Sequence, residues 1–359
     1  MNPECRIVYV GERGGKFQSL VDEHSAIDEV QTIFAGKFRR YNGDSWLSRL
    51  LDVKTLLLNI RDGFFVLLGM LQAVGVVRRV KPDVVFLKGG FVGVPIGFAA
   101  AIKKVPFVTH DSDAIPGLAN RIVGRWATLH TTGMPTEFYA YPKQKTRYVG
   151  VLVSDKYHYV DETEKAAYRR DLQLPEQGRV LLLTGGSLGA QRLNAAFGQV
   201  VPALLQQFSD LLIIHQVGLG NLKQLDDVND ARYHKLEFMD GMYRYTGAAD
   251  VVVTRAGANT LAELGVQGKA CVVVPNPQLT GGHQLKNTEY LLQHHAIVTV
   301  DERAFKKTDA HELQAAAAKL LEYPVMRAEL AQTLRSLTKD NAVQELAAQL
   351  LQLGKKLAG

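Results

Sequence analysis

"VLLLTGGSLGAQRLN" (residues 180–194) is the stretch on which the fold turns. A run of apolar residues enters Gly185-Gly186-Ser187, and a helical pattern opens near Gly189. Apolar residues without polar alternation mark a strand buried on both faces, as in parallel sheets covered by helices. The glycines let the backbone approach a ligand closely, and exposed N–H groups at the positive end of a helix favour a phosphate. Ser187 adds a hydroxyl donor. The spacing is neither GxGxxG nor GxxxxGK(S/T), so the dinucleotide and P-loop fingerprints fit poorly.

The same alternation runs outward in both directions. Strand-like runs lie at 6–10, 84–88, 106–109, 128–132, 146–149, 179–184, 211–216, 234–237, 250–253, 271–274 and 297–300. Amphipathic stretches at 191–207, 257–267, 283–294 and 309–321 fall between them. This predicts an α/β protein of two doubly wound domains, as 359 residues also suggest. The expected division is 1–154, 155–337, and a C-terminal helix at 338–359 returning to the first domain. Cys5 and Cys271 sit in apolar runs and read as buried reduced thiols, since no CxxC or Cys/His spacing exists. No signal-peptide pattern precedes the first strand, which makes the cytoplasm the expected compartment.

Residues 1–150 carry 20 Lys and Arg against 13 Asp and Glu, whereas the remainder carries 22 against 23. The basic first half should face phosphate, nucleic acid or a lipid surface. The excess is modest and no nucleic-acid motif accompanies it, so nucleic acid is not an expected partner. Residues 46–80 are the most apolar stretch, interrupted by Asp52, Lys54, Arg61 and Asp62, and therefore read as two amphipathic helices rather than a membrane span. Within it Trp46, Leu47, Leu50, Leu51, Phe64 and Phe65 stand beside Arg49 and Lys54, a composition that also suits an anionic membrane surface.

Further helix starts follow other strands. In "DVVVTRAGANTLAELGVQGKACVVVPNP" (250–277) the strand ends at Arg255, Gly257 opens the turn, and Asn259 or Thr260 can cap the helix. Glu263 lies on the first turns, where a carboxylate can accept both hydroxyls of a ribose or merely offset the helix dipole. In "QLTGGHQLKNTEYL" (278–291) the helix opens with His283, Gln284 and Asn287, amides suited to sugar hydroxyls. Together these starts form one crevice for a nucleotide sugar. In the first half, Gly89, Gly90 and Gly93 follow a strand, and His110, Asp111 and Asp113 end the next one, as an opposing wall.

These residues resemble the bacterial MurG family. The matching motifs are Gly-Gly-Ser-x-Gly-Ala at 185–190, Arg-Ala-Gly-Ala-x-Thr-x-Ala-Glu at 255–263 and His-Gln-x-x-Asn at 283–287. Gly-Gly-Phe-Val-Gly-Val-Pro at 89–95 and His-Asp-Ser-Asp-Ala-Ile-Pro-Gly-Leu-Ala-Asn at 110–120 match as well, in family order. The resemblance implies a B-type, UDP-GlcNAc-dependent hexosyltransferase with two Rossmann-like domains. It would transfer GlcNAc with inversion to lipid I, an undecaprenyl-diphosphate-MurNAc-pentapeptide acceptor, giving lipid II, at the cytoplasmic face of the membrane as a peripheral protein. No metal or other cofactor is implied. On this reading Gly185, Gly186, Ser187 and Gly189 meet the diphosphate, Met239 offers its backbone to the uracil, Glu263 takes the ribose and Gln284 faces the GlcNAc. Arg255, Gly257, Thr260, His283 and Asn287 complete the donor site, and Gly89, Gly90, Asp113 and Asn120 the acceptor side.

The chain also departs from the family pattern. The family's opening strand carries a Gly-rich loop ending in Gly-Gly-His, whose His is associated with base or acceptor chemistry; here "RIVYV" (6–10) reads as the second strand instead. Either 6–10 pairs directly with 84–88 or the first sheet is interrupted. Val151-Leu152-Val153-Ser154 stands where Asn-Pro-Val-Arg is expected, Asp113 replaces an Asn and Gly282 an Asp. His110 and Asp111 become the acid/base candidates. Competing readings are a related transferase with another lipid acceptor, a UDP-GlcNAc 2-epimerase, and a truncated or inactive UDP-sugar-binding homologue.

Overall fold

The structure, a computed structural model, describes residues 5–15, 25–36, 53–186, 189–222, 228–305 and 310–355. The chain divides into two compact units, Met1–Val149 with Asn341–Gly359, and Gly150–Asp340.

In the second unit β7 (Arg179–Thr184), β8 (Leu211–Gln216), β9 (Tyr233–Leu236), β10 (Val251–Thr254), β11 (Ala270–Val273) and β12 (Val298–Thr299) form one parallel sheet in the order β12-β11-β10-β7-β8-β9. The order reverses between β7 and β10, whose register pairs Leu181 with Val251 and Thr184 with Thr254. Ligands in such sheets bind beyond the carboxyl ends of the strands at that reversal. Helices α5 (Gln191–Gln207) and α9 (His311–Glu322) cover one face. α5 buries Leu193, Ala196, Phe197, Val200, Val201 and Leu204, the 3.6-residue stripe of an amphipathic helix. On the other face, residues of α7 (Ala258–Gln267), α8 (His283–Gln293) and α10 (Pro324–Leu337) pack with Cys271. Burial pushes the Cys271 thiol up to about 12. Cys5, expected inside, is exposed because it precedes the first strand.

An ion cluster ties α4 (Glu162–Asp171) to the start of β10. Asp250 pairs with Lys165 at 2.6 Å and Arg169 at 2.7 Å, and accepts the Val180 N–H at 2.8 Å. Nearby, Lys269 donates to the carbonyls of Gly247 and Ala249, and burial draws its ammonium down to about 7.

In the first unit β3 (Val85–Leu87), β4 (Phe107–Asp111), β5 (Leu129–Thr132) and β6 (Thr146–Tyr148) form a parallel sheet in sequence order. β1 (Val8–Glu12) pairs with β2 (Glu29–Ile33) as a separate parallel pair. Of the two expected outcomes the direct pairing of 6–10 with 84–88 is not made, and among the described residues the sheet is in two pieces. What joins them is side-chain packing: Val10 and Ile33 share a core with Val85 and Leu87, under α1 (Val53–Val80) and α2 (Gly93–Ile102). α11 (Ala342–Lys355) brings Gly354 against Asp83.

α1 is one helix of 28 residues where two were expected. By length and composition alone its Arg61–Val80 stretch could cross a membrane, with a mean hydropathy of 1.6. Here one side of it is core. Ala73, Val76 and Val77 are buried, and Gly69 lies so close to the Phe34 carbonyl that a Cβ would sit 2.0 Å from that oxygen. Asp62 is buried against Arg61 at 2.8 Å, and Phe65 stacks on Phe34. The opposite side exposes Phe64, Leu67 and Leu71, residues 59, 62 and 73% exposed at helical spacing. Phe65 thus turns inward, contrary to the expected surface role. Trp46, Leu47, Arg49 and Leu50 lie outside the described residues.

Candidate active site

At the carboxyl ends of β7 and β10 a cavity of about 360 Å³ opens, bounded by Thr184, Gly186, Gln216, Met239, Thr260 and Glu263. Its floor is a hydrogen-bonded set. Thr184 Oγ1 donates to Gln216 Oε1 at 2.6 Å and accepts the Gly186 N–H at 3.2 Å. The glycine turn is obligatory: Gly186 and Gly189 have φ of 87° and 73°. A Cβ on Gly189 would also lie 2.1 Å from the Val217 carbonyl oxygen. Ser187, assigned to the diphosphate, lies outside the described residues.

The start of α7 differs from expectation in a useful way. Gly257 is the N-cap and no side chain caps the helix, so Asn259 and Thr260 lie within its first turn. An uncapped first turn leaves backbone N–H groups for a ligand. One and a half turns on, Glu263 is half-buried and lines the cavity together with Tyr157. Met239 is buried and its neighbour Phe238 exposed, and both line the cavity. Gly241 follows with φ of 68° and starts α6 (Met242–Ala248).

Other residues assigned to the donor prove to be braces. Arg255 pairs with the buried Glu302 at 2.6 Å and donates to the Val274 carbonyl at 3.2 Å. This fastens the ends of β10 and β11 rather than presenting a cation to the cavity. Asn287 is fully buried and donates to the Ala256 carbonyl at 3.0 Å, so Gln284 and Asn287 do not form a joint sugar-facing pair. The Gln284 carboxamide oxygen accepts the Asn276 N–H at 2.8 Å. His283 is half-buried, and its Nδ1 has no partner among the described residues.

In the first unit the structure brings Gly89, His110, Asp111 and Asn120 together at the ends of β3 and β4. Asn120 donates to the His110 carbonyl at 2.9 Å and to Asp111 Oδ1 at 3.0 Å, and its Nδ2 lies 3.8 Å from the Cβ position of Gly89. Asp111 Oδ1 also accepts the Gly117 N–H at 2.9 Å, and Oδ2 accepts the Tyr141 hydroxyl at 2.8 Å. Burial raises the Asp111 carboxyl from its ordinary range, and these hydrogen bonds oppose the rise. His110 is fully buried, with Nδ1 3.1 Å from Thr131 Oγ1 and Nε2 unpartnered among the described residues. Desolvation, helped by Lys88, lowers its imidazole to about 4. The Asp111 carboxylate holds the 112–120 loop, the His110 imidazole faces Thr131 on β5, and both side chains are buried away from solvent. Asp113 is fixed through its carbonyl, which accepts the Tyr139 hydroxyl at 2.8 Å, and Gly90 is exposed.

Residues 16–131 match the glycosyltransferase family 28 N-terminal domain, and residues 180–350 match the glycosyltransferase family 28 C-terminal domain. Over 286 residues the chain is 32% identical to a Clostridium perfringens UDP-N-acetylglucosamine--N-acetylmuramyl-(pentapeptide) pyrophosphoryl-undecaprenol N-acetylglucosamine transferase, covering 78% of this chain and 73% of the relative. The chain belongs to the MurG family. A Bacillus anthracis member named as the same transferase, numbered 2, is 31% identical over 287 residues, covering 79% of this chain and 75% of the relative. The fold agrees: the crystal structure of Acinetobacter baumannii MurG superposes with a TM-score of 0.70 at 22% identity, over 97% of this chain and 91% of that one. Within the MurG frame, residues that sequence reasoning passed over stand out. Tyr157, Thr184 and Gln216 bound the cavity, and Glu302 anchors Arg255. Thr184 and Gln216 had a legible signal, each being the polar last residue of an apolar strand.

Proposed function

We propose that this chain transfers GlcNAc from UDP-GlcNAc to a polyprenyl-diphosphate-linked sugar, converting lipid I to lipid II, with inversion in a single displacement. The observation that carries the reading is the cavity at the β7/β10 reversal, with a glycine turn, an uncapped helix start and one carboxylate converging on it. The uracil would lie against Met239 and Phe238, the ribose diol on Glu263, and the diphosphate at the Gly185–Gly189 turn, Ser187 included. Gln284 would take the GlcNAc. The acceptor hydroxyl attacks the anomeric carbon and UDP departs; the backbone N–H groups stabilise the charge that gathers on the diphosphate. In this scheme no metal takes part. Gly89, Gly90, Asp113 and Asn120 would form the acceptor-side wall.

The acceptor is a membrane lipid, so the chain would work as a peripheral protein on an anionic, cytoplasmic membrane face. Support comes from the exposed Phe64-Leu67-Leu71 stripe on α1 and the basic excess of residues 1–150. A second reading, donor binding without transfer, is favoured by the burial of His110 and Asp111. Incubating the protein with UDP-GlcNAc and a lipid I analogue separates the two. Product that is abolished by Glu263→Ala supports transfer; UDP binding without product supports the second reading; absence of UDP binding refutes both.

A further inference from the structure

Gln216 ends β8 at the floor of the cavity and is 2% exposed. Its Oε1 accepts the Thr184 hydroxyl at 2.6 Å, and Thr184 Oγ1 in turn accepts the Gly186 N–H at 3.2 Å. These two bonds fix which way the carboxamide points. Reversed, it would press an NH2 on a hydroxyl that already receives a donor, and the Thr184 proton would lose its acceptor. Among the described residues this is the one hydrogen bond of the Gln216 side chain, so both Nε2 hydrogens are left for an occupant of the cavity. A buried amide donor without a partner is unfavourable, so the site is built to receive an acceptor. β8 lies between β7, which carries the glycine turn, and β9, whereas Glu263 follows β10 on the far side of β7. Gln216 is in register with Leu236, and the Val217 N–H reaches the Leu236 carbonyl at 2.9 Å. The chain therefore leaves β9 next to Gln216, and Gln216, Phe238 and Met239 all line the cavity.

We propose that Gln216, locked by Thr184, is a specificity-determining residue that donates to the 4-oxo oxygen of the base, admitting uracil and rejecting cytosine. The inference rests on the donor reading, in which the base lies against Met239 and Phe238. Uracil brings an acceptor to the Nε2 hydrogens. Cytosine carries an amino group at the same place, so two donors face each other and both stay unpaired. A site whose buried polar group is left unpaired by the wrong ligand discriminates more sharply than an apolar pocket does. Thr184 makes the rejection hold, because a free carboxamide could turn and offer Oε1 to the cytosine amine.

The test measures the Kd of UDP and of CDP for the wild type, Gln216→Met and Thr184→Val, with a thermal melt to check each fold. The wild type should bind UDP at least about tenfold more tightly than CDP. Gln216→Met keeps the bulk of the side chain; it should weaken UDP roughly fivefold to tenfold and leave CDP unchanged or improved, so the preference collapses. Thr184→Val should lower the preference as well, by letting the carboxamide turn. The Gly186 N–H it leaves unpaired lies on the phosphate side, so any disturbance there weakens both nucleotides equally and leaves their ratio alone. A wild type without preference, or either variant keeping the wild-type ratio, overturns the role of Gln216 and Thr184 but not the donor reading. A wild type that binds no UDP, or Glu263→Ala binding UDP at full affinity, overturns the donor reading and this inference with it.

Discussion

The glycine turn after β7 offers a graded experiment on the donor site. Gly186 and Gly189 both occupy left-handed backbone, but only Gly189 is pressed against other atoms. Alanine at 186 meets nothing within 4 Å, so its cost is the conformational strain alone, about 1–2 kcal/mol. Alanine at 189 carries the same strain, and its Cβ would stand 2.1 Å from the Val217 oxygen and 2.9 Å from Asn221 Nδ2. Ordinary contact requires the carbonyl or the turn to retreat by about 1 Å, which in a close-packed interior adds about 1–3 kcal/mol. The sum is about 2–5 kcal/mol, and the turn is the mobile party because Val217 is fully buried and its N–H bonds the Leu236 carbonyl. On the proposed donor reading, a turn displaced by that much no longer aims its N–H groups at the diphosphate. Calorimetric titration with UDP should then give a loss of about tenfold for Gly186→Ala and a hundredfold or more for Gly189→Ala. Equal losses, or wild-type affinity in Gly189→Ala, would refute the claim that this turn is the phosphate cradle.

Other outcomes follow from the same structure. Asp250→Ala leaves the buried Arg169 without its anion and Lys165 with only the exposed Glu162; denaturant titration should show a loss of about 3–5 kcal/mol. His110, His130 and His215 are buried and lowered to about 4, 4 and 3, so below the ordinary imidazole pKa the unfolded chain binds protons that the native chain refuses. Stability should therefore fall as pH drops from about 6.5 towards 4, by about 1.4 kcal/mol per histidine per unit, and a flat profile between pH 7 and 5 would contradict this. Replacing Phe64, Leu67 and Leu71 with Ser should reduce co-sedimentation with anionic vesicles about tenfold or more while UDP affinity stays put.

The parallel sheet of the second unit was legible because most of its strands, β9 excepted, are apolar runs too short to be helices. β7 and β8 fall on their expected residues, 179–184 and 211–216. β2 was not seen: "EVQTI" interleaves polar residues, as suits a pair whose side chains are mostly half-buried. The helix α1 was read as two because Arg61 and Asp62 look like an interruption. In the fold they pair with each other while the helix passes through. The glycine turns and Glu263 were visible as local motifs. Arg255 and Asn287 misled because residue type does not say whether an amide or guanidinium is already engaged; Glu302, 47 residues on, decides that for Arg255. Tyr157 was hidden for a related reason: only the tertiary fold brings it to the cavity wall.

The split sheet of the first unit has a dynamic consequence. β1 and β2 share ladder bonds with each other, and to the rest of the unit they are fastened by side chains: Ile33 in the core, Phe34 N–H on Gln72 Oε1 at 2.8 Å, and Arg79 on Gln31. Detaching this ribbon breaks no ladder with β3, so its opening free energy lies well under that of β4 and β5, which are bonded on both sides. In native-state hydrogen exchange the amides of Val8–Glu12 and Glu29–Ile33 should lose protection together and early, as one cooperative unit, while those of Phe107–Asp111 persist to global unfolding.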